Sequence, residues 1–65
     1  MKMENTTEVT AGQTRRTDNH GGRTYEIIEV HGAKTEAQVV TRSGDAIGSA
    51  IFEFTDWFAN NTYEL

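Results

Sequence analysis

Apolar and polar positions alternate unevenly along this chain, and the unevenness divides it in two. Residues 1–22 hold only Met1, Met3, Val9 and Ala11 as apolar side chains, among Thr, Asn, Gln, Gly and charged residues. A segment of that composition buries too little surface to offset its ordering entropy, so it reads as a flexible tail ending at His20-Gly21-Gly22. Val9, flanked by Thr7 and Thr10, offers at most a short edge strand within it. From Arg23 onward β-branched and aromatic residues dominate, and residues 23–65 read as one small antiparallel β domain.

Three strands are predicted there. "RTYEIIEVHG" gives a strand over about 24–31 and "KTEAQVVTRSGD" one over about 35–42, with His31-Gly32-Ala33-Lys34 as the hairpin loop between them. Ser43-Gly44-Asp45 marks a tight turn, because glycine reaches the positive φ that such turns need. The third strand runs over about 46–54, through "AIGSAIFEF". Thr55 or Asp56 then suits a helix start, Trp57–Ala59 a single helical turn, and Asn60-Asn61 a left-handed stop. The final Thr62-Tyr63-Glu64-Leu65 has strand character and could cover a sheet edge. The fold class expected is mainly β: a three- to four-stranded antiparallel meander with a short C-terminal helical turn.

Period two raises a difficulty. It separates Tyr25 and Ile27 from Ile28 and Val30, Val39 from Val40, and Phe52 and Phe54 from Ile47 and Ile51. Each strand thus carries apolar residues on both faces. A bulge can rescue one strand, and Gly48 is a suitable site for it. Trp57 and Phe58 can cover one face, the one bearing Phe52 and Phe54. The other face, with Ile28, Val30, Ile47 and Ile51, is expected to meet a second copy of the chain, because a domain this small cannot leave branched aliphatics in water. Trp57, Phe58 and Tyr63 are the residues expected to engage a further protein.

Charge refines the picture. The formal charge is −4, but residues 1–24 sum to +1 and residues 25–65 to −5. An acidic body repels phosphate backbones and can steer the chain towards a basic protein surface. Nucleic-acid binding is the alternative reading, with Arg15, Arg16 and Arg23 on phosphates and Tyr25 or Phe52 stacking on bases.

Catalysis finds little support. His20 and His31, with Asp18 and Glu29, match no zinc or triad spacing, so no metal ligand or catalytic residue is assigned. Glu26 and Glu29 fall on opposite faces at period two and cannot converge as an acid–base pair. No cofactor is expected, and the chain reads as no enzyme. It contains no cysteine, which favours a reducing compartment and a cytoplasmic location. No apolar run reaches membrane-spanning length, and the N-terminus lacks the apolar core of a secretory signal. The expected function is that of a protein-binding module: a homodimeric or larger homo-oligomeric adaptor, regulator or inhibitor. Compact chains of this size without catalytic signatures often play such parts, some of them phage-encoded.

Overall fold

A computed structural model of the chain describes residues 8–17 and 22–65. They form one antiparallel sheet of five strands with one helix. The strands are β1 (Thr14–Thr17), β2 (Thr24–His31), β3 (Lys34–Val40), β4 (Ile51–Phe54) and β5 (Thr62–Glu64), and α1 (Thr55–Asn61) joins β4 to β5. Their order across the sheet is β4-β3-β2-β1-β5. The fold is therefore mainly β, with one or two strands more than the pattern predicts.

The extra strand comes from the segment read as a tail. Residues 14–17 form β1, which lies between β2 and β5. Val9 is buried in the core without joining a strand, and the chain beside it is fixed by bonds from Gly12 N to Ile27 O and from Ile27 N to Gln13 O. The rest of the expected tail, residues 1–7 and 18–21, lies outside the described residues.

β2 and β3 join through Gly32-Ala33, with His31 opposite Lys34. Gly32 has φ +62° and Ala33 does not have a positive φ, the geometry of a type II′ hairpin turn. The third predicted strand is shorter than expected. Only Ile51–Phe54 is strand, and residues 46–50 run irregularly beside β3, held by the Val40–Ala46 bridge and by Gln38 Nε2 donating to the carbonyls of Ile47 and Gly48.

β4 and β5 are the two edges, so α1 must carry the chain across one face. Four strand spacings amount to about 19 Å on a flat sheet, whereas seven helical residues rise only about 10 Å. The sheet must therefore curl around the helix. Phe58 sits at the centre of the concave side with no exposed surface, against Tyr25 at 5.2 Å between ring centroids. Trp57 meets the same tyrosine edge-on at 6.0 Å. Val9, Ile27 and Ala37 complete the buried cluster, with Val30, Val39, Ile51 and Ala59 packed around it.

The helix ends differ from expectation. Phe54, not Thr55 or Asp56, is the N-cap, and no side chain caps it. The Thr55 hydroxyl donates instead to Gly32 O at 2.7 Å and pairs with Thr35 Oγ1, while Thr55 N donates to Ala33 O. The first turn is thus fastened to the β2–β3 hairpin. At the far end no asparagine turns left-handed. Asn61 Nδ2 and the Thr62 hydroxyl satisfy the carbonyls of Trp57 and Phe58, and the chain passes directly into β5.

Candidate functional site: the open sheet face

A β-bulge decides which side chains reach each face. Ile27 pairs with Ala37, but Glu29 pairs with Glu36, so Ile28 is the extra residue. The bulge returns Val30 to the helix side alongside Tyr25 and Ile27, opposite the buried Thr35. It lies in β2 and not at Gly48. It also brings Glu26 and Glu29 to the same face, where simple alternation separates them.

β4 corrects the expected faces outright. Ala37 pairs with Ile51 and Thr35 with Glu53 on the helix side; Glu36 pairs with Phe52 and Lys34 with Phe54 on the other. Ile51 therefore packs against the core, and Phe52 and Phe54 stand 60% and 57% exposed on the face that α1 leaves open. Of the four residues expected at an oligomer interface, Val30 and Ile51 belong to the core. Ile28 and Ile47 remain exposed, at 45% and 51%. Of the residues expected to engage a partner, Phe58 is fully buried, Trp57 is half-buried against Tyr25, and Tyr63 is half-buried on β5.

The basic candidates are scattered too. Arg15 is wholly buried on the helix side of β1. Its Nε donates to Thr62 Oγ1 at 2.7 Å, Nη2 to Thr62 O at 3.0 Å, and Nη1 to Gln13 Oε1 and Glu8 O. Desolvation lowers its pKa, and the charge of Glu64 opposes that shift. Arg15 is a clamp between β1 and β5 that no phosphate can reach. Arg16 is half-buried and donates to Thr24 Oγ1, while Arg23 is exposed. Tyr25 lies under the helix, so it cannot stack on a base.

The open face carries an ordered pattern. At one end Phe52, Phe54 and Ile28 stand among Glu29, His31, Lys34 and Glu36. Lys34 Nζ lies 4.8 Å from the centre of the Phe54 ring, and the His31 ring lies 6.0 Å from that of Phe52. His31 Nε2 is 3.9 Å from Glu29 and 3.8 Å from Glu36, two like charges set directly opposite each other. The donor atoms of these three residues lie within 4.8 Å of one another, a set that could hold a divalent cation. The sequence concealed this trio, because Glu36 joins only through strand pairing.

Towards the other end an open depression of about 520 Å³ is lined by Thr24, Val40, Ile47, Arg23 and Arg42, among others. Thr24 and Val40, which pair on the side away from the helix, and Val39, which lies on the helix side, all line it, so the depression sits at the ends of β2 and β3. Among the described residues, the guanidinium groups of Arg23 and Arg42 have no hydrogen-bonded or ionic partner.

The free edge of β4 is partly closed. Thr55 N bonds to Ala33 O, and antiparallel alternation then turns the backbone groups of Glu53 and Ile51 towards β3 and those of Phe52 and Phe54 outward. The outward N–H of Phe54 donates to its neighbour's Glu53 Oε1 at 2.9 Å. A strand seeking to pair with this edge meets one donor already engaged and a carboxylate beside it. The broad face is the more accessible surface.

Comparison with known proteins finds no matching family model, no matching curated protein and no matching solved structure. No helix among the described residues is long and apolar enough to cross a membrane.

Proposed function

We propose that this chain is a small protein-binding module, with no catalysis of its own, that docks through the open face of its sheet. The observation that carries this reading is the exposure of Phe52 and Phe54 on a face that no element of the described chain covers. Aromatic side chains are enriched in the cores of protein interfaces, with polar and charged residues at the rim. Glu26, Glu29 and Glu36 on the same face suit a basic partner surface. The one cluster of titratable groups on this face among the described residues, Glu29, His31 and Glu36, stands on an open surface and not in an enclosed cleft, which argues against an active site. The absence of cysteine suits a reducing compartment such as the cytoplasm.

The test is affinity capture with the tagged full chain, comparing wild type with a Phe52→Ser/Phe54→Ser variant, each with and without nuclease. Partners retained after nuclease and lost in the folded variant support the reading. Equal capture by both chains, or loss of every partner to nuclease, contradicts it.

A further inference from the structure

We infer that Glu29, His31 and Glu36 form a zinc site on the open face, one imidazole nitrogen and two carboxylate oxygens holding a single Zn²⁺. Local geometry brings the three together. In a regular ladder, Ile27 opposite Ala37 would set Glu29 opposite Thr35; the bulge at Ile28 sets it opposite Glu36 instead. His31 follows two residues on along β2, so it shares that face and lies diagonal to Glu36 across the strands. Strands give a metal site a firmer frame than a loop does. This frame is closed by the Gly32-Ala33 turn, which Thr55 fastens to α1 through Gly32 O and Ala33 O.

The spacing suits an ion better than it suits the bare side chains. His31 Nε2 stands 3.9 Å from Glu29 Oε1 and 3.8 Å from Glu36 Oε1, too far for a hydrogen bond. The three donor atoms lie within 4.8 Å of one another, so a point equidistant from them is no more than about 2.5 Å from each. Zinc takes nitrogen and oxygen ligands at about 2.0–2.2 Å. Small torsions close that gap, since Glu29 and His31 are exposed and Glu36 is half-buried.

Charge points the same way. Two carboxylates directly opposite on adjacent strands repel each other. Among the described residues neither has a Lys or Arg partner. Lys34, two residues from Glu36 on the same face, instead holds its Nζ over the Phe54 ring, 4.8 Å from the centre. A divalent cation would neutralise both carboxylates. The imidazole selects which one: nitrogen suits zinc, whereas calcium and magnesium favour oxygen ligands throughout. Three protein ligands leave the fourth tetrahedral position to water. The Phe52 ring stands beside the imidazole, with 6.0 Å between ring centres, and bounds the site towards β4.

Calorimetric titration of Zn²⁺ into the untagged full chain, with proton spectra of the two histidine rings, tests the site. Wild type is expected to bind one Zn²⁺ per chain and to shift the ring resonances of His31 while those of His20 stay in place. Glu29→Gln, His31→Gln and Glu36→Gln should each weaken binding by at least about tenfold, no less than the loss of an outer-shell partner costs a metal site. Circular dichroism checks that each variant folds, and should one misfold, the other two decide. His20→Gln should leave binding unchanged. Ca²⁺ or Mg²⁺ in about tenfold excess should not displace the zinc. Absence of binding at about 100 µM Zn²⁺ overturns the inference. So does binding that survives any of the three glutamine replacements in a folded chain, binding lost with His20, or displacement by Ca²⁺ or Mg²⁺.

Discussion

Ile51 and Phe52 are adjacent in β4 and serve opposite sides of the sheet. Ile51 lies opposite Ala37 and packs on the core under α1, whereas Phe52 lies opposite Glu36 and faces outward beside the His31 ring. Stability and binding should therefore separate between these two neighbours. Ile51→Glu places a carboxylate against the core and should lower stability by about 2–3 kcal/mol. Phe52→Ser removes an exposed ring and should change stability by no more than about 0.5 kcal/mol. Urea unfolding followed by Trp57 fluorescence measures both; a larger loss for Phe52→Ser would mean that the faces are reversed.

Arg15 should matter for folding and not for charge-driven binding. Lysine in its place keeps the charge but cannot reproduce the paired bonds to Thr62 Oγ1 and Thr62 O. Arg15→Lys is expected to destabilise the chain by about 1–3 kcal/mol. An unchanged melting temperature would show that the β1–β5 clamp contributes nothing.

Gly32 tests the hairpin. Nothing lies within 4 Å of a Cβ built there, so only the backbone at φ +62° resists substitution. Gly32→Ala should cost about 1–2 kcal/mol, and Gly32→Asn less, since asparagine tolerates that region. Equal stability of all three chains would contradict a type II′ turn.

Glu53 guards the β4 edge. Glu53→Ala releases the outward N–H of Phe54 and removes the charge beside it. The variant should aggregate faster than wild type at equal concentration, read by light scattering, because an uncovered edge invites strand pairing. No change in aggregation would mean that the edge is protected by other means.

Much of the sheet was legible in the sequence because its signals are local. The strand read at about 24–31 within "RTYEIIEVHG" matches β2, and Gly32 marks its turn, since β-branched content and a positive φ each act within a few residues. The strand character of residues 62–64 likewise became β5, pairing at an edge. What escaped depends on distant pairing. β1 is polar, "TRRT", and is a strand only because β2 and β5 hold it on both sides. Ile28 and Val30 share a parity that the bulge breaks, and no glycine or proline announces it. Phe52 and Phe54 read as core by hydrophobicity, yet α1 covers the side that Ile51 occupies. The helix leaves β4 on the concave side, and only the register with β3 reveals which side that is. The trio of Glu29, His31 and Glu36 was hidden for the same reason.

Since the chain contains no cysteine, a single one can carry a photoreactive label at a chosen place. Glu36 lies on the open face beside Phe52, and Asn60 is exposed on α1. Benzophenone-maleimide attached to Glu36→Cys and, separately, to Asn60→Cys, with each full chain illuminated in an extract of the cells that express it, reports which side touches other proteins. The account predicts protein cross-links, to further copies of the chain or to other partners, from position 36 and few from position 60. Cross-links mainly from position 60, or none that distinguish the two, would contradict it.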